Sequence, residues 1–470
     1  MKKLAALFIL LSILLSLFSC NNPSNTPEGG EEEEQNPSYS FINGVNLENF
    51  AIVYSDEDHD YSKRAAEYIK TEILERTKLN LTIIEDSDEA VSEYEIVVGN
   101  TEREISDQLD AETDGLEFAI LADEKSVALE GDYFIIAAAA YYFIETYVPE
   151  DDFDAHIPKE VCVREPIVKE AENFILLIGD GMGVYQTEMF NYMENVLEYG
   201  DGEDFFYGEL LPYKGYSRTE SLSGVTDSAA GGTALSCGIK TYNEYVGKDR
   251  NGNDARSLTE LAYELGMSAG VMSTENRTGA TPATFSAHAD SRSNNETILE
   301  SQAKAMQEYG TVIDCGYDYY NTRYMKVIEK HISDTVSKLE ANENGFFLMY
   351  EEAHIDKHCH DNDLESTFEA VVRFNQAIAR FMEYAFYNPN TFILITADHE
   401  TGGLYPDENS ALQYTTENHT ADDVPIFAYG DGAELFDGVN IENIQISHTI
   451  ASLMGEDNFG DQSEYKSLTK

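Results

Sequence analysis

The sequence predicts an α/β fold with a mostly parallel central sheet, preceded by a smaller α/β unit. Two observations carry that expectation. In the second half, the runs "NFILLIGD", "GFFLMYEE" and "TFILITADH" are apolar at nearly every position before they end in acidic residues. Unbroken apolar runs of this length suit strands covered by helices on both faces, whereas strands with one wet face alternate. Nearer the start, short β-rich runs alternate with amphipathic and alanine-rich helical stretches. At 470 residues the chain is long enough for more than one domain.

Taken in order, residues 1–20 ("MKKLAALFILLSILLSLFSC") hold two lysines, a short apolar run and Leu17-Phe18-Ser19-Cys20. The run is too short for a comfortable membrane span and reads as the core of an export signal. Its ending resembles the bacterial lipobox. That resemblance implies a lipoprotein signal peptide, lipidation at Cys20, and an exported protein anchored on a bacterial membrane, on its periplasmic or cell-surface face. An ordinary signal peptide with a chance cysteine is the plainer alternative. Residues 21–44 are polar, acidic and rich in Pro and Gly, as a flexible tether is.

Residues 45–150 read as a small α/β accessory domain. "FAIVYS" and "LTIIED" flank the amphipathic "SKRAAEYIKTEILERT"; "YEIVVGN", the strand pair "EFAILADEKSVALEGD" and the helix "YFIIAAAAYYFIETYV" follow. It contains no catalytic cluster. It weakly resembles accessory domains of polysaccharide-degrading enzymes, so it reads equally as a glycan-contacting module or a spacer. A connector marked by Pro and charge, residues 151–172, leads into the main region, residues 173–470.

The net charge of −58 excludes nucleic acid as an expected binding partner, because phosphate backbones are held through Lys and Arg. Phosphorylated substrates would be repelled at long range unless bound cations reverse the sign locally. Beyond Cys20 there are four cysteines, Cys162, Cys237, Cys315 and Cys359, with no CxxC pair among them. A cysteine zinc knot is therefore not expected. Export would permit one or two disulfides, but the spacing does not choose a pairing.

The three acidic strand ends carry Asp180, Glu351 with Glu352, and Asp398 with His399. Ligands gather beyond the carboxyl ends of parallel strands, so these side chains are expected to converge. Unpaired in a cleft they would repel one another, and cations must offset them. Mixed imidazole and carboxylate donors suit zinc, and an oxygen set suits magnesium. In "EAHIDKHCHD" the pairs Asp356/His360 and His354/His358 share the same helical spacing, so spacing alone does not choose between them. "VTDSAAGGTAL" raises a similar choice. Ser228 is either a helix cap or a nucleophile whose small neighbours leave room for a substrate.

"LLIGDGMG", "VTDSAAGGTAL", "ATPATFSAHADSR", "EEAHIDKHCH", "ITADHETGG" and "ENHTADDVPIFAYG" occur in the order found in alkaline phosphatases. The resemblance spans nearly all of residues 173–455 and leaves out the N-terminal region. It implies a three-layer sandwich and hydrolysis of small phosphomonoesters through a phosphoserine on Ser228, with two Zn2+ ions and one Mg2+ ion. Carried over residue by residue, it implies a first zinc site of Asp356, His360 and His419. A second would use Asp180, Asp398 and His399, with Ser228 reaching it. The magnesium site would use Asp180, Thr281 and Glu351. Arg292 matches the arginine that grips the phosphoryl group, and Lys357 matches a lysine near it. His354, His358 and Glu352 fall to supporting roles. A homodimer is compatible with the resemblance, though no motif encodes one.

One position departs from the family. Gly279 stands where enterobacterial alkaline phosphatases carry Asp, paired with the lysine matching Lys357, and where mammalian ones carry His. The expectation is that Lys357 has lost its partner and turns to the phosphate, and that the outer shell of the magnesium site is weakened. The plainer alternative is a turn glycine, with another carboxylate replacing the Asp. Among rival functions, a phosphodiesterase of the same superfamily remains open. A sulfatase does not, since residues 226–232 hold no Cys/Ser-x-Pro-x-Arg stretch. An inert, glycan-binding surface lipoprotein sits poorly with a complete ligand set.

Overall fold

The computed structural model describes residues 40–56, 60–88, 92–109, 113–150, 152–193, 205–316 and 325–469. Cys20 and most of the proposed tether lie outside them. The first body is a six-stranded sheet built from β1 (Phe50–Tyr54), β2 (Ile83–Glu85), β3 (Tyr94–Val98), β4 (Phe118–Ala122), β5 (Ser126–Glu130) and β6 (Cys162–Arg164). Their order is β2-β1-β3-β5-β4-β6. The β1–β2, β1–β3 and β3–β5 pairs are parallel, and β4 is antiparallel to both its neighbours. Helix α1 (Tyr61–Thr77) buries Tyr61, Ala65, Ala66, Ile69 and Ile73, a helical stripe facing the core. Helix α2 (Ile136–Tyr147) buries its apolar residues from Ile136 to Tyr141 with Phe143 and Ile144, and leaves Glu145 and Thr146 exposed near its end.

The second body is an eight-stranded sheet of β7 (Asn173–Gly179), β8 (Tyr213–Arg218), β9 (Ser268–Ser273), β10 (Val312–Cys315), β11 (Phe346–Glu352), β12 (Thr391–Thr396), β13 (Val424–Tyr429) and β14 (Asn440–Glu442). The order is β10-β9-β11-β7-β12-β13-β8-β14. The run from β10 to β12 is parallel, and β13 is antiparallel to both its neighbours. Its helices include α3 (Ser228–Cys237), α4 (Ala280–Thr284), α5 (His354–His360), α6 (Leu364–Tyr387) and α7 (Ile444–Leu453). Alternate residues of the central strands enter two separate cores. Ile175, Leu177, Leu348 and Ile393 join Phe368, Phe374 and Phe381 of α6 on one face. Phe174, Leu176, Met349 and Leu394 join Leu235 of α3 and Ile446 and Ile450 of α7 on the other. The unbroken apolar runs thus have the predicted cause, since both faces of these strands are buried in a three-layer α/β arrangement.

The N-terminal body is docked on α6. Phe134 stacks on Phe386 with ring centroids 5.9 Å apart, and Arg64 Nε lies 2.8 Å from Glu383 Oε1. Ile96, Phe118 and Phe143 belong to the same continuous core as Phe374 and Phe381, so an apolar interface joins the two bodies. Among the described residues no helix is long and apolar enough to cross a membrane. Cys162, Cys237, Cys315 and Cys359 are all free, so none of the disulfides that export would permit is formed among them. Burial pushes the thiols of Cys237 and Cys359 up to about 12, which makes them inert.

Candidate active site

Strand order dictates the site. With β7 between β11 and β12, and Ile178 opposite both Glu351 and Thr396, the residues closing these strands meet at one edge of the sheet. Asp180, Glu351, Glu352, Asp398 and His399 are all buried there. Asp180, Asp398 and His399 offer ligand atoms within 4.8 Å of one another, as do Asp356, His399 and His419. Helix α5 brings Asp356 and His360 onto one face, with His360 Nε2 3.3 Å from Asp356 Oδ1 and 3.1 Å from His419 Nε2. His399 therefore borders both groups, which its motif did not reveal.

The hydrogen bonds of the three imidazoles fix which nitrogen each presents. His360 Nδ1 lies 2.6 Å from the Glu417 carbonyl oxygen, and His419 Nδ1 lies 2.8 Å from that of Thr226. A carbonyl only accepts, so both Nδ1 atoms donate. Thr401 gives its hydroxyl proton to Asp356 Oδ1 at 2.6 Å, which leaves its oxygen to accept from His399 Nδ1 at 3.2 Å. All three rings thus turn Nε2 toward the carboxylates, the arrangement metal-bound histidines adopt. Two such nitrogens 3.1 Å apart, His360 and His419, require a cation or a proton between them.

The electrostatics point the same way. Burial raises the Asp180 carboxyl well above its usual range, with the charges of Asp398 and Asp356 adding to it. Burial and then Asp356 push Asp398 up to about 7; burial and then Glu275 push Glu351 up to about 8. Burial, then the neighbouring His419, drives His399 well below its usual value. Burial opposes ionisation of Asp356, but the His419 hydrogen bond and the surrounding imidazoles outweigh it and hold that carboxyl low. Asp180 Oδ1, Glu351 Oε1 and Asp398 Oδ2 are buried with no hydrogen-bond partner. Cations would satisfy these oxygens. The nitrogen-containing groups fit zinc, and the oxygen set of Asp180, Thr281 and Glu351 fits magnesium. Thr281 Oγ1 already donates to Asp180 Oδ2 at 3.3 Å.

Ser228 is the first residue of α3, and Asp227 is the cap, accepting from the Ala230 amide at 2.9 Å. The serine hydroxyl is thereby freed from capping and sits 3.2 Å from His399 Nε2. The small residues after it have a different cause from the one expected. A Cβ on Gly231 would lie 2.8 Å from the Asp398 carbonyl oxygen, and one on Gly232 would lie 2.7 Å from Thr284 Oγ1. They let α3 press against the β12 end and α4. Arg292 Nη1 lies 3.3 Å from Asp227 Oδ2, beside Ser228. Of the residues given supporting roles, Glu352 Oε1 accepts from the His354 amide at 3.0 Å and lies 3.2 Å from Thr274 Oγ1. His354 and His358 lie with ring centroids 6.3 Å apart.

Lys357 corrects one expectation. Its Nζ is 2.9 Å from Glu275 Oε1, so the lysine has a partner despite the glycine at 279. Glu275 belongs to none of the six motifs, and nothing in the sequence singled it out.

The profile of the family described as "Alkaline phosphatase" matches residues 171–328 and 325–412. Alkaline phosphatase 3 of Bacillus subtilis is 29% identical over 290 residues, which are 50% of this chain and 62% of that protein. The chain thus spans a little under two thirds of that relative's length. The alkaline phosphatase of the Antarctic bacterium TAB5 aligns in structure with TM-score 0.55 and 26% identity, covering 62% of this chain and 100% of that one. A variant of the TAB5 enzyme with Mg bound in the M3 site aligns at TM-score 0.52 and 25% identity over the same shares.

Proposed function

The chain belongs to the alkaline phosphatase family, and from that premise we propose that it hydrolyses small phosphomonoesters through Ser228. Two zinc ions and one magnesium ion would serve it. The observation that carries this reading is the serine hydroxyl 3.2 Å from His399 Nε2, among buried carboxylates with unpartnered oxygens. In this reading Asp356, His360 and His419 hold the first zinc, and Asp180, Asp398 and His399 the second. Asp180, Thr281 and Glu351 hold the magnesium. When bound, the cations lower the pKa of the serine hydroxyl and offset charge on the leaving and attacking oxygens.

The chain's own groups do the rest. Ser228 Oγ attacks phosphorus, the ester P–O bond breaks, and the alcohol departs, leaving phosphoserine. Water then cleaves the phosphoserine and inorganic phosphate leaves. The N-terminus of α3, where Ser228 sits, favours the dianionic phosphoryl group. Arg292 presents a planar fork of donors to its non-bridging oxygens, oriented by Asp227. Lys357 adds positive charge near Asp180 and Glu351. With Cys20 lipidated, the enzyme would act outside the cytoplasm, on a membrane.

Phosphate release from nitrophenyl phosphate, measured beside release from bis-nitrophenyl phosphate with metal content determined, tests the reading. Faster turnover of the monoester by a zinc-containing protein is expected. Preference for the diester would assign the site to phosphodiesters, and no turnover of either by metal-loaded protein would overturn the enzyme reading.

A further inference from the structure

Gly279 has φ −54° and ψ 151°, a conformation open to any residue, so the backbone does not demand glycine there. Space does. A Cβ at 279 would lie 2.3 Å from Glu275 Oε2 and 2.6 Å from its Cδ. The Glu275 carboxylate occupies the place into which a side chain at 279 would extend. Its other oxygen holds Lys357 Nζ at 2.9 Å.

The same segment is wired to the oxygen cluster. Ser273 Oγ accepts from the Glu275 amide at 2.8 Å and donates to Glu351 Oε2. Gly279 caps α4, which carries Thr281 two residues on, and Thr281 bonds Asp180. Glu351 keeps a buried Oε1 with no partner.

We propose that Glu275 is a positioning residue of the magnesium site. Its carboxylate, reaching in from the loop after β9 into the space left by Gly279, fixes Lys357 and adds negative charge beside Asp180, Thr281 and Glu351. This inference rests on the assignment of those three residues to magnesium. It replaces the expectation of a weakened outer shell: the carboxylate has moved four residues along the chain. Gly279 and Glu275 form a matched pair, because a side chain at 279 would have to displace the Glu275 carboxylate.

The test is calorimetric titration of Mg2+ into protein whose zinc is retained and whose magnesium has been dialysed away. Glu275→Gln should weaken Mg2+ binding ~10–100-fold, the usual cost of losing an outer-shell partner, with zinc content unchanged. Gly279→Asp alone should not tighten binding, because its Cβ meets Glu275. Glu275→Ala combined with Gly279→Asp should recover most of the affinity lost in Glu275→Ala. Unchanged affinity in Glu275→Gln, or a double variant no better than Glu275→Ala, overturns the role of Glu275 and leaves the magnesium site standing. A wild-type protein that binds no Mg2+ with its zinc in place overturns both.

Discussion

Asp227 ties the start of α3 to Arg292: its Oδ1 accepts from the Ala230 amide at 2.9 Å, and its Oδ2 lies 3.3 Å from Arg292 Nη1. One carboxylate therefore caps the helix and orients the guanidinium beside Ser228. Arg292→Ala should lower kcat/KM by ~10²-fold, the cost of losing one preorganised donor to the transition state. Arg292→Lys should recover only part, since a point charge lacks the fork. Asp227→Ala should cost ~1 kcal/mol of stability through the lost cap. In the Arg292→Ala background it should lower kcat/KM no further. An Arg292→Ala enzyme within twofold of wild type would remove the arginine from the site.

Ser228→Ala separates nucleophile from cap. Because Asp227 does the capping, the substitution should leave the melting temperature of the metal-free protein unchanged. Turnover should drop by ~10³-fold or more, as when an activated nucleophile is lost. Wild-type protein quenched in acid during turnover should yield a phosphorylated peptide containing Ser228. A variant retaining a tenth of the activity would refute the assignment.

These outcomes bear on how far the sequence could be read. The apolar runs announced β7, β11 and β12, because strands buried on both faces leave no alternation to misread. Their acidic ends announced the convergence of Asp180, Glu351 and Asp398. What stayed hidden depended on the third dimension. Glu275 lies outside every motif, and only the Cβ space at Gly279 shows what its carboxylate does. His399 belongs to both groups of ligand atoms, which only the folded arrangement of Asp180, Asp356 and His419 around it reveals. Gly231 and Gly232 suggested room for a substrate, whereas they make room for Asp398 and Thr284. The choice between Asp356/His360 and His354/His358 could not come from identical spacings; it depends on where α5 turns relative to His419.

Cys20 carries a separate prediction. With the lipobox-like ending, wild-type protein expressed in a bacterium with lipoprotein processing should partition with membranes and carry lipid on that cysteine by mass spectrometry. Cys20→Ala should move it to the soluble fraction, with catalysis unchanged. Equal membrane association of the two proteins, with no lipid detected, would discard the anchor.

Removing the metals should make stability fall as pH rises. In the metal-free fold Asp398 titrates at about 7 rather than 3.8, and Glu351 at about 8 rather than 4.5. Between those limits the unfolded chain holds fewer protons than the folded one, so stability must fall as pH rises. Below about pH 3 both states are protonated and this contribution is constant. His419, whose pKa is raised by Asp356 against the effect of burial, acts in the same direction. His399, driven well below its ordinary 6.5, acts in the opposite direction below that pH, where the unfolded chain holds the extra proton, and contributes no slope above it. Asp356 is depressed, so its contribution is lost only as pH falls below its ordinary 3.8, outside the window. Cations in the clusters keep the carboxylates ionised and should abolish the slope, releasing protons as they bind. The melting temperature of chelator-treated protein should therefore decline from about pH 7 to about pH 8.5, above the range in which His399 opposes it, while that of protein supplied with zinc and magnesium should not. The stabilisation gained from metal should widen toward alkaline pH. Glu351→Gln and Asp398→Asn should each flatten the metal-free curve, because a neutral amide has no proton to lose. A metal-free protein whose melting temperature is level or rising across that range would show that these buried carboxylates do not resist ionisation, and the main electrostatic argument for cations at the site would fall with it.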